Sequence, residues 1–158
     1  MTNNEMRKNR LRQQAEPIAE ACIAVRVRLL NRIITNIYDT AMRPYGISLN
    51  QASILTLITM SDSVGHGDIG RILFMEKSTV SRNIERMKKK DWITTDSSEN
   101  TGAAVIAITP RGEEILEKAY ASWAEAQEEA IRRLGSDGVD TLMKLADRFW
   151  PIGFGQAG

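Results

Sequence analysis

The sequence contains few of the residues that build disulfide frameworks or metal sites. Among its 158 residues there is one cysteine and one histidine, which excludes a disulfide framework and falls short of a structural zinc site. The sequence also offers no glycine-rich phosphate loop, no nucleophile elbow and no usable Cys/His pair. We therefore expect no metal, no cofactor and no enzymatic activity.

Long apolar runs are absent as well. No stretch approaches the ~18 consecutive apolar residues that a membrane span needs, and the polar start of the chain lacks the apolar segment of a signal peptide. With 42% hydrophobic and 26% charged residues, the composition is that of an ordinary globular domain. We expect a cytoplasmic protein that makes no contact with a membrane.

An excess of charge of one sign is absent overall, but it is present in one segment. The formal net charge is +1, yet the segment 77–90 contains six basic residues and one acidic residue. A nearly neutral chain with one basic segment suggests a local anionic partner. The alternative is a solvated helix face, which is the more common origin of a charge run taken alone.

The N-terminal part of the chain predicts a polar arm followed by a long helix. Residues 1–16 are polar and basic without an apolar stripe, which is typical of a mobile arm or a frayed helix start. From Pro17, which suits a first helical position, to about Met42, two adjoining rows of apolar residues recur at helical spacing. Because two rows make a wider face than one small core requires, we expect a partner subunit to cover part of it.

Three shorter helices are predicted next. Ser48 and Gln51 form a capping box, with serine at the cap and glutamine three residues on, and this box opens a helix. A turn-rich stretch with two glycines follows. Two further short helices are expected at about 68–74 and 76–90, separated by a tight turn.

The last third of the chain predicts a hairpin and two more helices. The segments 92–95 and 103–109 are rich in β-branched residues and are separated by turn-formers, which is typical of a β-hairpin. A helix opens at Pro110 and breaks at 135–138, where two glycines occur, and a final helix precedes the tail 151–158. The expected fold class is therefore mainly α with a small β-hairpin wing.

The segment that holds the basic residues has a clear buried side. Val80, Ile84 and Met87 fall at i, i+4 and i+7, so they form the buried stripe of a helix. Four polar residues then lie on the opposite side: Ser78, Ser81, Arg82 and Glu85. Thr79 and Arg86 lie at its edge.

The polar side of this helix has the chemistry of a DNA-reading surface. Short hydroxyl side chains near a helix N-terminus suit close approach to a phosphate backbone. The guanidinium of Arg82 fits a guanine edge or a phosphate, and the lysines at 88–90 can hold a second stretch of backbone electrostatically. A helix–turn–helix presents its second helix to the major groove of DNA in this way.

Two short helices followed by a hairpin form a winged helix–turn–helix, and this chain resembles the MarR family of bacterial transcription regulators. The resemblance covers about residues 18–149 and is carried by the segments 47–55, 69–70, 77–82, 89–93 and 108–112. It implies a helical dimerisation lobe at 17–46 and 113–150 that flanks a DNA-binding domain at 47–112. It also implies a homodimeric regulator that binds a pseudo-palindromic operator, with half-sites about one helical turn, ~34 Å, apart. We expect this regulator to be a repressor.

Carried over by position, the family's recognition-helix contacts fall on Ser78, Thr79, Ser81 and Arg82, with Arg86 as a phosphate contact. Together with the flanking lysines, the expected DNA-binding residues are Lys77, Ser78, Thr79, Ser81, Arg82, Arg86, Lys88 and Lys89. The resemblance further implies that a small aromatic or phenolic acid binds between the dimerisation lobe and the domain at 47–112, here called the reading head. Binding of this acid would release the DNA. Its candidate contacts are Tyr38, Met42, Tyr45 and Trp123; the alternative is that these are core residues.

The hairpin tip departs from the family pattern, in which an Asp-Arg-Arg-like tip enters the minor groove. The corresponding positions are Asn100, Thr101 and Gly102, and no arginine or lysine lies between Lys90 and Arg111. The wing therefore lacks the cation that a narrow minor groove attracts. Either the wing does not insert, or the basic arm substitutes for it. The alternative function is a protein-interaction dimer of the same fold with weakened DNA binding.

Cys22 and His66 are the single cysteine and the single histidine of the sequence. Cys22 lies near the place where the hydroperoxide-sensing branch of the family carries its reactive cysteine, but only Arg26 is near enough along a helix to stabilise a thiolate. We expect a buried, inert thiol. His66 is expected to be a solvated loop residue or a polar group at a helix start, because the sequence has no second histidine or cysteine to complete a metal set.

Overall fold

The computed structural model describes residues 2–61, 63–97 and 104–149 of the chain. As expected, the fold is mainly helical with one small antiparallel hairpin. In chain order the elements are α1 (Asn3–Ala21), α2 (Ile23–Met42), a 3-10 turn (Arg43–Tyr45), α3 (Leu49–Met60), α4 (His66–Ile72), α5 (Lys77–Lys89), β1 (Ile93–Ser97), β2 (Ala104–Ile108) and α6 (Pro110–Phe149). The chain divides into two compact units, Met1–Asn36 and Ile37–Gly158.

The first unit differs from the expected arm. Residues 3–16, expected as a mobile arm or a frayed helix start, form most of helix α1. A reciprocal cap begins the helix: the Glu5 amide donates to Thr2 Oγ1 at 3.4 Å, and the Thr2 amide donates to Glu5 Oε2 at 2.6 Å. Behind this cap the sequence is rich in strong helix formers such as Arg, Lys, Gln and Ala. The polar composition therefore reflects a solvated helix, and none of its residues is buried.

The long first helix predicted from Pro17 to Met42 is two helices. Pro17 lies inside α1, and the break falls at Cys22, whose backbone is extended with φ −69° and ψ 110°. Cys22 is half-buried, so the predicted burial of its thiol within one continuous helix was wrong. The Arg26 guanidinium donates to the Glu20 carbonyl across the break at 2.9 Å.

The second unit has its core between α3, α4, α5 and the hairpin. Its largest fully buried side chains are Met42, Ile54, Leu55, Leu57, Val64, Ile69, Ile72, Val80, Ile84 and Met87. The predicted capping box of α3 is confirmed, because the Gln51 amide donates to Ser48 Oγ at 3.3 Å and the Ser48 amide donates to Gln51 Oε1 at 3.1 Å. The stretch before α4, expected only as a turn, also pairs with the hairpin: the Ile106 amide donates to the Val64 carbonyl at 2.8 Å.

Helices α4 and α5 form the helix–turn–helix, each within about two residues of its predicted bounds. The chain turns between them at Phe74, which has a positive φ of 51°. The two helices approach closely because Gly70 has no side chain: a Cβ there would lie 3.2 Å from the Met75 carbonyl oxygen. After α5 the chain reverses at Asp91, whose φ of 58° is the left-handed conformation that aspartate tolerates.

The hairpin joins α5 to α6 through a tight junction. Strands β1 and β2 pair antiparallel from Ile93 with Ile108 to Ser97 with Ala104. Behind them, the Thr109 hydroxyl donates to the Asp91 carbonyl at 2.6 Å and accepts from the Gly112 amide at 3.0 Å. The end of α5 is thereby fixed to the start of α6.

Helix α6 is interrupted where the sequence predicts it. Gly135 has non-helical backbone angles, φ 70° and ψ 160°, and the two helical stretches on either side meet at this kink. Across the described ranges, none of the helices combines the length and the apolar character required to cross a membrane.

Candidate nucleic-acid interface

Helix α5 is anchored by the stripe that the sequence predicts. Val80 is 2% exposed, Ile84 1% and Met87 0%. Asn83, to which the sequence pattern assigns no side of the helix, joins this buried side, and its amide donates to the Thr79 carbonyl at 2.9 Å. Because the apolar side of α5 is fixed in the core, the opposite side faces solvent.

All eight predicted DNA contacts lie on this one helix. Seven of them are exposed and Thr79 is half-buried. Helical geometry divides them into a central row with Ser78, Arg82 and Lys89, one edge with Thr79 and Arg86, and the opposite edge with Lys77, Ser81 and Lys88. Glu85 is also exposed and lies beside the central row. The structure thus brings the predicted residues together on one continuous surface.

Arg82 is held over the first turn of α5. Its Nε donates to the Ser78 carbonyl at 3.2 Å, and its Nη2 contacts Thr79 Oγ1 at 3.5 Å. A guanidinium has five N–H donors, so three have no protein partner among the described residues. The side chain is therefore oriented in advance and still has donors for a base edge or a phosphate oxygen.

Lys90 fixes the far end of the helix and does not extend its free surface. Its Nζ donates to the Gly46 carbonyl at 2.6 Å and lies 4.3 Å from the ring centroid of Trp92. The sequence places Lys90 within the basic segment but does not reveal this role, because Gly46 is 44 residues away. Gly46 adopts φ 67° there, a backbone conformation that favours glycine.

The candidate ligand contacts do not form one cluster. A groove of about 1010 Å³ between α3, β2 and α6 is lined by Met42 and Trp123. Tyr38 is not among its lining residues: it is buried, its hydroxyl donates to Gln127 Oε1, and burial raises its pKa. Tyr45 lies on the 3-10 turn and is 37% exposed.

The structure adds one aromatic residue to this groove. Tyr120 lies one helical turn before Trp123 on α6, and the two rings stack with centroids 5.7 Å apart and an interplanar angle of 22°. Their spacing of three residues was visible in the sequence, but a pattern of aromatic residues on a helix does not reveal which of them face a cavity.

The remaining expectations concern the wing tip and the single histidine. Asn100, Thr101 and Gly102 lie outside the described residues, so the geometry of the tip is not described. His66 is exposed at the first position of α4, one of the two places expected for it. Within the described ranges, no three His, Cys, Asp or Glu side chains are grouped in a way that could hold a metal ion.

Comparison with known proteins identifies the class of this fold. Residues 45–103 match the model of the MarR family. An uncharacterised HTH-type transcriptional regulator of Bacillus subtilis, YwoH, is 22% identical over 118 residues, which cover 75% of this chain and 86% of the relative.

Solved structures agree in fold. A mutant of MarR from E. coli in complex with operator DNA is 17% identical with a TM-score of 0.74, covering 84% of this chain and 96% of that one. The regulator MosR of M. tuberculosis in complex with DNA is 24% identical with a TM-score of 0.66, covering 80% of this chain and 97% of that one.

The fold of the second unit and the surface on α5 define a winged helix–turn–helix domain with the fold of MarR-family transcriptional regulators. Residues 45–103, which contain this helix pair, resemble the MarR family. The resemblance inferred from the sequence is therefore confirmed for the reading head, and the architecture of the known regulators extends over most of the chain.

Proposed function

We propose that this protein is a DNA-binding transcriptional regulator that acts as a homodimer and inserts α5 into the major groove of a pseudo-palindromic operator. The observation that carries the proposal is the orientation of α5. Its aliphatic stripe is buried, while Ser78, Ser81 and Arg82 share the exposed side with the basic residues. Operator DNA bound to a structural relative supports the choice of duplex DNA as the partner.

Exposed apolar side chains support a homodimer. In the first unit, Ile23 is 78% exposed and Val27 59%. In the second unit, beyond the kink of α6, Met143 is 58% exposed and Phe149 76%. Solvated apolar surface of this extent marks an interaction surface, and a second copy of the chain is the proposed occupant. A two-fold dimer would place its two α5 helices about one turn of DNA, ~34 Å, apart.

We further propose that the regulator is a repressor released by a small aromatic or phenolic acid. The groove with Met42, Tyr120 and Trp123 has the size and the apolar lining of a small-molecule site. It lies between α6 and the reading head, so an occupant would act on the contact between α3 and α6. A chain that binds the chromosome in this way would act in the cytoplasm and catalyse no reaction.

The test is a gel shift with the DNA immediately upstream of the protein's own gene, at about 50 and 200 mM salt. Specific binding is expected to survive an excess of mixed-sequence competitor at both concentrations, although affinity falls steeply with salt. A shift that every sequence competes equally would contradict the proposal.

A second candidate function is a protein-interaction dimer of the same fold with weakened DNA binding. The observation that favours it is the absence of arginine and lysine between Lys90 and Arg111 in the sequence, because a wing without cations gains little from the minor groove. Under this alternative the gel shift would report only weak, salt-sensitive and sequence-independent binding.

A further inference from the structure

A second groove of the reading head lies beside the edge of α5 that carries Arg86. Its volume is about 510 Å³, and its walls come from the end of α2, the 3-10 turn, the start of α3 and the end of α5. Four cations line it: Arg43, Arg86, Lys89 and Lys90. Arg86 and Lys89 belong to the DNA contacts predicted from the sequence, whereas Arg43 comes from another element, and none of the four cations makes an ion pair with the residues that the structure describes.

Three of the cations are available to a ligand. Arg43, Arg86 and Lys89 are exposed, and none of them makes an ion pair or a side-chain hydrogen bond with the residues that the structure describes. Lys90 is already committed to the Gly46 carbonyl and adds a fixed positive charge. Arg86 and Lys89 are three residues apart on α5, so their side chains are neighbours on the helix surface.

The carboxylate that lines the same groove is already engaged. Asp39 Oδ1 accepts from the Leu49 amide at 2.7 Å and thereby satisfies a donor at the start of α3. Ser48 contributes a hydroxyl whose oxygen accepts from the Gln51 amide, which leaves its own proton free to donate. The walls therefore combine two guanidinium groups, two ammonium groups and one hydroxyl donor against one carboxylate.

We propose that this groove binds a phosphate group held by Arg43, Arg86, Lys89 and the Ser48 hydroxyl. Guanidinium groups bind phosphate oxygens in bidentate fashion, and an ammonium adds a point charge. Two sources share this chemistry: a backbone phosphate of bound DNA and the phosphate of a small molecule. The DNA source rests on the proposed function, because a helix in the major groove has a phosphate strand along each of its edges. The small-molecule source does not depend on the proposed function.

The DNA source is tested with Arg43→Gln, since Arg43 lies outside α5 and is exposed. Binding to a labelled 25-bp duplex of mixed sequence is measured by fluorescence anisotropy between about 50 and 200 mM salt. We expect the slope of log K against log salt to become shallower by about 0.9, with roughly a 3- to 10-fold loss of affinity at the lower salt. Arg43→Lys should retain most of the slope.

The matched control for this charge change is Arg111→Gln, an exposed arginine on α6 outside the groove. It removes the same charge and is expected to leave the slope within error of wild type. An equal change in both variants would mean that Arg43 acts only through net charge, which overturns the DNA source. Circular dichroism of each variant verifies that the fold is kept.

The small-molecule source is tested by calorimetric titration of the free protein with inorganic phosphate, against sodium chloride of equal ionic strength. Saturable binding that is lost in Arg43→Gln and in Lys89→Gln supports it. Asp39→Asn should tighten that binding, because the variant removes the negative charge and keeps an oxygen to accept from Leu49.

The two arms separate failure of the groove from failure of the proposed function. An effect of Arg43→Gln on the duplex alone assigns the groove to backbone phosphate, and an effect on inorganic phosphate alone assigns it to a small molecule. If the wild type binds no duplex, the proposed function fails while the phosphate titration still decides the groove. If Arg43→Gln matches the wild type in both arms, the inference is wrong.

Discussion

Replacing Gly112 with alanine perturbs the junction that holds α5 against α6. A Cβ at this position would lie 2.0 Å from the Trp92 carbonyl oxygen and 2.8 Å from Cγ1 of Ile108. The carbonyl cannot move aside freely, because it accepts a hydrogen bond from the Thr109 amide at 3.0 Å. The added methyl group must therefore displace the junction itself.

The cost follows from two contributions. Forcing a methyl group into a packed site costs about 1–3 kcal/mol, and the displacement weakens hydrogen bonds worth about 1 kcal/mol each, including the bond from the Gly112 amide to Thr109 Oγ1. Against these stands a gain of up to about 1 kcal/mol, because alanine has the higher helix propensity. We expect a net loss of about 2–4 kcal/mol in the free energy of unfolding.

The assay is urea denaturation followed by circular dichroism, at one protein concentration because dimerisation would shift the midpoint. Gly138→Ala is the matched control: it lies on the same helix, where the nearest heavy atom to its Cβ would be Leu134 Cβ at 3.5 Å, an ordinary contact. This variant should be neutral or stabilised by up to about 1 kcal/mol. If Gly112→Ala unfolds at the wild-type midpoint, the close contact with Trp92 is not a feature of the protein in solution.

Three further predictions concern charge and pH. Glu85→Gln removes an exposed carboxylate from the side of α5 opposite its buried stripe, here called the reading face. The variant should bind a mixed-sequence duplex severalfold more tightly in fluorescence anisotropy, and its ratio of specific to non-specific binding should fall. Unchanged affinity would mean that Glu85 is not part of the interface. The hydrogen bond from Arg71 holds the pKa of Asp68 below its ordinary value of 3.8, so the folded state favours the carboxylate. Asp68→Asn should therefore cost less than about 1 kcal/mol at neutral pH, a cost that disappears as pH falls below that value; a pH-independent cost would contradict this. Burial raises the pKa of Tyr38 above 10.0, so wild-type stability should fall as pH rises past 10. Tyr38→Phe should flatten that decline and cost about 1 kcal/mol at neutral pH through the lost bond to Gln127; an unaltered alkaline decline would refute it.

Local sequence patterns predicted most of the reading head. The spacing of Val80, Ile84 and Met87 identified the buried side of α5, and the capping box at Ser48 and Gln51 located the start of α3. Gly135 marked the kink in α6. Each of these features depends on residues within one or two helical turns, so the sequence contains the whole signal.

The features that the sequence did not predict depend on distant partners or on competing local signals. The Lys90–Gly46 contact and the Tyr38–Gln127 hydrogen bond join residues 44 and 89 positions apart, which no periodicity reveals. At the N-terminus, Pro17 suggested a helix start, yet the cap at Thr2 and the helix formers after it place the start of α1 at Asn3. The basic groove beside Arg86 was missed because Arg43 approaches it from another element.

The measurement that tests the central claim most directly compares Arg82→Gln with Lys118→Gln on the duplex that the wild type selects from upstream DNA. Arg82 lies on the reading face, whereas Lys118 is an exposed lysine of α6 paired with Glu114. Binding is measured by fluorescence anisotropy at about 100 mM salt. Arg82→Gln should weaken binding to that duplex about 10- to 100-fold, consistent with about 1–3 kcal/mol for one specific arginine contact. Lys118→Gln should change the affinity less than about twofold. Equal affinity of Arg82→Gln and wild type would contradict the claim that this face of α5 reads DNA.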